Sequence, residues 1–151
     1  MIRKAAKRTA TSREGLRLAR SGSLASLSRI MKLLLAPDGC PWDRRQTHST
    51  LLKYLHEEAG EVSRAVRRKD WTNLREELGD VLLQVVFHSE LARRAGRFRL
   101  SDVIRTVNAK MVRRHPHVFG EGRLETPAQV LREWKKIKKA EKARAARGKR
   151  A

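Results

Sequence analysis

Two pairs of carboxylates stand out in this sequence because each pair has the spacing of a helix face. Glu58 and Glu61 are three residues apart, and Glu77 and Asp80 repeat that spacing. On an α-helix, residues three or four apart share a face, so each pair would project together. Like charges placed in this way destabilise a helix unless a cation lies between them. Carboxylate oxygens are the ligands that Mg²⁺ and Mn²⁺ prefer, so the pattern predicts a site for a hard divalent metal.

The length of the segment between the two pairs predicts that the pairs lie close together in the folded chain. A turn is expected near residues 70–71, and Glu61 and Asp80 each lie about nine or ten residues from it, so they are level in an antiparallel helix pair. Glu58 and Glu77 fall within one helical turn of that level, roughly 5 Å along the axis. The hairpin contains no Glu-x-x-His pair of the kind that binds iron, which disfavours a di-iron site.

A metal site of oxygen ligands indicates chemistry on phosphates, because Mg²⁺ keeps several waters and commonly binds substrate phosphates. Hydrolysis of a phosphoanhydride is the simplest such reaction. Lys110, Arg113 and Arg114 would supply cations for the phosphates, and Lys110 and Arg114 lie one turn apart on the same face. The alternative is an ordinary basic helix end, which the helix macrodipole favours without any ligand.

The elements that would position these residues are all helical. Hydrophobic spacing predicts helices almost throughout the chain and no strand of useful length, so the fold class is all-α, a helical bundle. A broad apolar surface over residues 81–87 predicts burial on more than one side, in a bundle or an oligomer core. Capping residues place the helix starts at Ser23, Thr47 or Ser49, Asp70, Ser101, and the capping box of Thr126 with Gln129.

Composition limits the remaining choices. The chain has 151 residues and a formal charge of +20, and its cations are concentrated towards both ends. We expect a basic extension over residues 1–22, one domain over 23–140 and a basic tail over 141–151. The single cysteine, Cys40, excludes an internal disulfide and fits a reducing, cytoplasmic location. No apolar stretch approaches the ~18–20 residues of a membrane helix, so no membrane partner is expected.

Several blocks of the sequence, taken in order, resemble the MazG family of nucleoside triphosphate pyrophosphohydrolases. The resemblance covers about residues 24–140 and is specific because the blocks occur in the family's order. They are GCPWD at 39–43, QTH at 46–48, EEAGEV at 57–62, REELGD at 75–80, LQVVFH at 83–88, NAK at 108–110, RRHPHVFG at 113–120, and Trp134 with Ile137 and Lys138.

The resemblance implies an all-α fold that dimerises or forms a higher homo-oligomer through its helices. It also implies Mg²⁺-dependent cleavage of a nucleoside triphosphate between the α and β phosphates, giving a nucleoside monophosphate and pyrophosphate. By the resemblance, Glu58, Glu61, Glu77 and Asp80 correspond to metal ligands, Lys110 and Arg114 to phosphate contacts, Trp134 to a nucleotide contact, and Glu57 and Glu76 to acids bordering the nucleotide. Our hypothesis for the mechanism is attack of a metal-activated water on the α-phosphorus, with Glu57 as the catalytic residue that orients or deprotonates it.

Other interpretations stay open at this stage. Trp42 either stacks on a base or closes its loop onto the bundle. Within the same fold, the rivals are a narrow dUTP or dCTP pyrophosphatase and an enzyme acting on a phosphoribosyl nucleotide. The rival from another class is a catalytically idle, basic nucleic-acid-binding or regulatory protein, which is disfavoured because the acid cluster repels a phosphate backbone unless metal is bound.

Overall fold

The computed structural model describes residues 13–148, which form seven helices and no strand. The predicted all-α fold class is therefore confirmed. The helices are α1 (residues 13–19), α2 (Leu24–Leu34), α3 (His48–Arg68), α4 (Trp71–Arg94), α5 (Leu100–Arg114), α6 (Pro116–Phe119) and α7 (Pro127–Gly148), with a 3₁₀ turn at Asp43–Arg45. Contacts divide the chain into two compact units, one ending at Leu100 and one beginning at Ser101.

Side-chain caps define where the helices of the first unit begin. The Ser23 hydroxyl accepts a hydrogen bond from the backbone N–H of Ser26 at 3.2 Å. Thr47 forms a capping box with Thr50 at the start of α3. The Asp70 carboxylate accepts from the backbone N–H of Asn73 at 3.1 Å. These bonds satisfy amide groups that the helix itself leaves unpaired, so the caps predicted at residues 23, 47 and 70 are confirmed.

The α3–α4 connection is tight because one residue turns the chain. Lys69 takes a left-handed conformation (φ 56°) immediately after α3, and the next amide, that of Asp70, bonds back to the Ala65 carbonyl at 3.0 Å. Asp70 is also the N-cap of α4. A non-glycine residue adopts this conformation only at some cost in free energy, but the conformation keeps the connection between the two helices as short as possible. The register of α3 against α4 is thereby set from the turn.

The hydrophobic core of the first unit lies where α4 packs against α2 and α3. Five side chains exposed by 3% or less form it: Met31, Leu35, Leu51, Val86 and Phe87. Leu100 packs against this cluster. The helix α5 begins at Leu100, so Ser101 lies inside it and the prediction of Ser101 as its N-cap is wrong.

Gly39 closes the loop that follows α2. A Cβ at this position would lie 2.2 Å from the Leu34 carbonyl oxygen and 2.4 Å from that of Leu33. Real Cβ atoms do not approach a backbone oxygen so closely, so only glycine fits here. The Cys40 amide then bonds to the Leu34 carbonyl at 2.8 Å. The loop carrying Trp42 is therefore held directly against the end of α2.

The second unit consists of α5, α6 and α7. The predicted capping box opens α7: the Thr126 hydroxyl accepts from the Gln129 amide at 3.3 Å, and Gln129 Oε1 accepts from the Thr126 amide at 3.0 Å. The predicted break at residues 115–117 ends α5 at Arg114, but Pro116 then opens the short helix α6 as its first residue. Proline is favoured there because a first-turn amide has no helical partner.

Both predicted basic arms contain helix where the structure describes them. In the extension, Leu18 of α1 is buried and Glu14 pairs with Arg29 of α2 at 3.0 Å. In the tail, α7 continues to Gly148. Residues 1–12 and 149–151 lie outside the described part, and the boundaries at 22 and 140 stay predictions. Within residues 13–148, no helix has the length and apolar character needed to span a bilayer.

Candidate metal centre and phosphate-binding residues

The α3–α4 hairpin brings three of the four predicted metal ligands together. One carboxylate oxygen from each of Glu58, Glu77 and Asp80 lies within 4.8 Å of the other two. Glu58 comes from α3, and Glu77 and Asp80 come from one face of α4, as the three-residue spacing requires. The tight turn at Lys69 sets this level match, because it fixes how far each residue lies from the turn.

Burial and mutual repulsion make the carboxylates of Glu58 and Glu77 harder to ionise. Burial raises the pKa of Glu77, which is 7% exposed, and the neighbouring Glu61, Glu58 and Asp80 raise it further. Burial also raises the pKa of Glu58, followed by repulsion from Asp80, Glu61 and Glu57. Within residues 13–148, no basic side chain pairs with Glu58, Glu77 or Asp80. The cluster therefore has an excess of negative charge that the described residues do not balance.

The donor set fits a hard divalent cation. It offers carboxylate oxygens alone, and Asp80 is exposed, which leaves room for waters and for a phosphate oxygen. Mg²⁺ prefers such a partly hydrated site with a few carboxylates over a complete protein cage. No histidine or cysteine among the described residues joins the group, so softer metals are disfavoured.

Glu61, the fourth predicted ligand, lies beside the cluster rather than in it. Its carboxylate pairs with Arg64 one turn later on α3, and the three-oxygen group does not include it. It still lies near enough to Glu77 to raise that residue's pKa. Of the two bordering acids, Glu57 is exposed and contributes to the raised pKa of Glu58, whereas Glu76 is exposed on α4 outside the three-oxygen group.

The predicted phosphate-binding arginines share one carboxylate, that of Glu141 on α7. Arg113 contacts Glu141 Oε1 at 2.7 Å through both Nε and Nη2, and Arg114 Nη2 contacts Oε2 at 2.8 Å. Hydrogen bonds from Arg114 and then from Arg113 lower the pKa of Glu141 to about 2. The carboxylate is therefore ionised throughout the neutral range and holds both guanidinium groups.

The remaining predicted substrate contacts lie in both units. Lys110 is half-buried on α5, one turn before Arg114. The Trp134 indole N–H donates to the Arg114 carbonyl at 2.7 Å, and its ring meets that of His115 edge-on at 5.3 Å. Trp42, in the first unit, is 50% exposed and contacts Tyr54 edge-on at 5.7 Å, which leaves both interpretations of its role open.

Sequence reasoning missed two features of these units. Glu141 lies seven residues after Trp134, so the two share a helix face, and this spacing is the signal that could have indicated a common partner. The second feature is a histidine pair in the first unit: the Nδ1 atoms of His48 and His88 are 2.8 Å apart and the rings stack. Its signal, a histidine on each of two helices predicted to pack together, is weak.

Two buried polar atoms on α4, one of them in the histidine pair, are unpaired. His88 Nε2 and Gln84 Oε1 have no hydrogen-bond partner among the described residues. Burial lowers the pKa of His88, and the neighbouring His48 lowers it further. His88 is therefore held in its neutral form near pH 7.

Comparisons with known proteins agree with this architecture. Residues 46–119 match the MazG nucleotide pyrophosphohydrolase domain. The chain is 50% identical over 118 residues to the nucleoside triphosphate pyrophosphohydrolase/pyrophosphatase MazG of Thermotoga maritima, covering 78% of this chain and 45% of the relative. It is 45% identical over 121 residues to the nucleoside triphosphate pyrophosphohydrolase of Escherichia coli K12, covering 80% and 46% respectively.

A solved structure supports the same assignment. The crystal structure of a mazG-related protein from Thermotoga maritima superposes with a TM-score of 0.65 at 32% identity, covering 77% of this chain and 99% of that one. The class of protein is therefore defined by its fold and its site: an all-α protein with a carboxylate cluster on a helical hairpin. The chain belongs to the MazG family, as the sequence blocks predicted. It spans about half the length of the Thermotoga and Escherichia relatives described above.

Proposed function

We propose that this protein is a Mg²⁺-dependent nucleoside triphosphate pyrophosphohydrolase, with Mn²⁺ as the alternative metal, acting in the cytoplasm on the nucleotide pool. It would convert a nucleoside triphosphate and water into a nucleoside monophosphate and pyrophosphate. The observation that carries the proposal is the convergence of Glu58, Glu77 and Asp80 without a basic partner among the described residues. The names of the Thermotoga and Escherichia relatives support the reaction.

Each residue has a separate task in this proposal. Glu58, Glu77 and Asp80 bind the metal, and Glu61 completes the set once its contact with Arg64 loosens. Bound Mg²⁺ supplies positive charge that polarises the phosphates and lowers the pKa of water. Glu57, exposed next to Glu58, orients the attacking water and accepts its proton.

The phosphates and the base need groups outside the metal ligands. Lys110, Arg113 and Arg114 neutralise charge on the leaving pyrophosphate, where arginine offers paired N–H donors and lysine a point charge. Glu76, Trp134 and Trp42 contact the nucleotide. The broad-range activity has two rivals of the same fold, a dUTP or dCTP pyrophosphatase and an enzyme acting on a phosphoribosyl nucleotide.

The test is release of pyrophosphate from a panel of NTPs and dNTPs with Mg²⁺, with Asp80→Asn as the site variant. Glu121→Gln is the matched control, because Glu121 is an exposed acid outside the proposed site. Metal-dependent release that D80N loses and E121Q keeps would support the proposal, and the preferred nucleotide would separate the broad from the narrow activity. Absence of release from every nucleotide would refute it.

We also propose that the protein forms a homodimer or a higher homo-oligomer through α4. Trp71, Leu78, Leu82 and Val85 lie within about 60° of one another around this helix and are 68%, 51%, 43% and 37% exposed. An apolar stripe of this length is typical of an interface. Leu82→Glu should lower the mass measured by light scattering after size exclusion; an unchanged mass would exclude this face.

A second candidate function is binding of nucleic acid by α7. Six exposed cations lie within about 140° on one side of this helix, opposite the side that carries Trp134 and Glu141. They are Arg132, Lys135, Lys136, Lys139, Lys142 and Arg147. Such a row would attract a phosphate backbone by releasing counterions. Duplex DNA binding that weakens steeply with salt and disappears in K135E/K139E/K142E would support this role; binding that survives those changes would place it elsewhere.

A further inference from the structure

We propose that Glu141 is a positioning residue: it fixes the guanidinium groups of Arg113 and Arg114 so that together they bind the pyrophosphate moiety of the substrate. This inference rests on the proposed function. It adds a residue from α7 that would not touch the substrate itself. The helix that carries it would thereby become a required part of the phosphate-binding apparatus.

The contacts show how one carboxylate can hold two arginines. Oε1 accepts from Nε of Arg113 at 2.7 Å and lies 2.7 Å from Nη2 of the same arginine, and Oε2 accepts from Nη2 of Arg114 at 2.8 Å. Arg114 Nε is 3.5 Å from Oε1, so this arginine too presents its Nε–Nη2 edge to the carboxylate. Planar guanidinium groups held along one edge have little rotational freedom left.

Enough donors and charge remain for an anion. A guanidinium carries five N–H bonds, and the contacts to Glu141 use only the Nε–Nη2 edge of each arginine. Arg113 Nη1 has a long 3.5 Å contact to the Ala109 carbonyl, and Arg114 Nη1 has no acceptor among the described residues. Two positive charges share one negative charge, so a net positive charge remains at the pair. These are the properties of a prepared site for a phosphate group.

The surrounding groove has room for such a group. Within the second unit, a groove of about 510 Å³ is lined by Arg113, Glu141 and Arg144, together with Ile137, Ala140 and Ala145. A volume of this order lies within the range of small-molecule sites. Arg144, three residues after Glu141, adds a third cation to its wall. The groove therefore combines space with positive charge next to the held arginines.

A second contact keeps α7 in place over Arg114. The Trp134 indole N–H bonds to the Arg114 backbone carbonyl, two turns before Glu141 on the same face of α7. Arg114 is thus held by its backbone and by its side chain from one helix. An arginine pair restrained in advance loses less conformational entropy when it binds a ligand than free side chains would.

The experiment measures binding of inorganic pyrophosphate by titration calorimetry in Mg²⁺ buffer, alongside KM and kcat for the best nucleotide. Glu141→Gln removes the charge and keeps the shape. Glu133→Gln is the matched control, since Glu133 lies on the same helix and its one ion pair among residues 13–148 is with Lys136, at 3.4 Å. We expect E141Q to bind pyrophosphate about ten-fold more weakly and to raise KM, because it loses a charge-assisted contact to each arginine. E133Q should match the wild type.

The outcomes separate positioning from other roles. Binding by E141Q that equals or exceeds the wild type would overturn the inference, and tighter binding would mean that Glu141 competes with phosphate. A purely structural role would lower the melting temperature and leave the pyrophosphate Kd unchanged. If E141Q does not fold, Glu141→Asp decides, because it keeps the carboxylate on a shorter side chain: weaker binding supports positioning and wild-type binding overturns it.

The same measurements distinguish failure of the proposed function from failure of the positioning role. A wild type that hydrolyses no nucleotide but binds pyrophosphate more tightly than E141Q would refute the enzyme and keep the positioning role. A wild type that is active while E141Q binds normally would refute only the positioning role. A wild type that neither hydrolyses nucleotides nor binds pyrophosphate would overturn both.

Discussion

Replacing Glu77 by glutamine should separate the effect of the carboxylate on folding from its effect on metal binding, because the two have opposite signs. Without metal, the buried Glu77 carboxylate is held beside Glu61, Glu58 and Asp80, which raise its pKa. Neutral glutamine relieves that repulsion. We therefore expect E77Q in EDTA at pH 7.5 to be at least as stable as the wild type, although the substitution removes a buried native side chain.

With Mg²⁺ the order should reverse. A ligand at 100 times its Kd stabilises a folded protein by about 2.7 kcal/mol. For a chain of 151 residues, the entropy of unfolding is about 0.3 kcal/mol/K, so the wild type should gain about 8 °C. If loss of this ligand weakens binding about 100-fold, the same Mg²⁺ concentration equals Kd and contributes only about 0.4 kcal/mol, or about 1 °C.

The assay is a thermal melt followed by circular dichroism, in EDTA and in Mg²⁺, for the wild type, E77Q and Glu76→Gln. Glu76 is the neighbouring acid on α4 but is exposed, so E76Q changes the net charge equally without touching the cluster. A lower melting temperature of E77Q in EDTA would refute the repulsion. An equal gain of both variants in Mg²⁺ would refute Glu77 as a ligand.

Three further predictions follow from the same structure. The pKa values of Glu58 and Glu77 are raised in the folded protein, so their contribution to metal-free stability is present below the unfolded carboxyl pKa of 4.5 and is lost as the pH rises through their folded pKa values. Mg²⁺ affinity, measured by calorimetry, should increase over the same pH range because the two carboxylates ionise there. The lowered pKa of His88 predicts stability that is present above pH 6.5 and lost as the pH falls towards its folded value, so the melting temperature of the wild type should fall relative to that of His88→Leu between pH 7.5 and 5. Met31→Ala should cost about 2–5 kcal/mol in urea unfolding, since this side chain is 1% exposed in the core, whereas a loss below about 1 kcal/mol would show that the site collapses around the cavity.

Local chemistry explains why the helix positions could be predicted from the sequence. The capping residues accept hydrogen bonds from amides no more than three residues away, so their effect can be predicted from the neighbouring sequence. They are Ser23, Thr47, Asp70 and Thr126. Ser101 shows the limit of this reasoning. The helix α5 begins at Leu100 instead, and Leu100 packs against core residues distant in sequence, a contact that its neighbours in sequence do not indicate.

The candidate site shows the same distinction between what the local sequence determines and what tertiary packing determines. The sequence by itself determined the all-α fold, the family, and the convergence of Glu58, Glu77 and Asp80, because helical periodicity and a short turn fix both the face and the level. The structure showed that Glu61 pairs with Arg64 of its own helix, and only the tertiary structure decided that Glu141 holds Arg113 and Arg114. The reason is physical: rotamers choose among several partners within reach, and a contact across 27 residues depends on how α7 packs against α5.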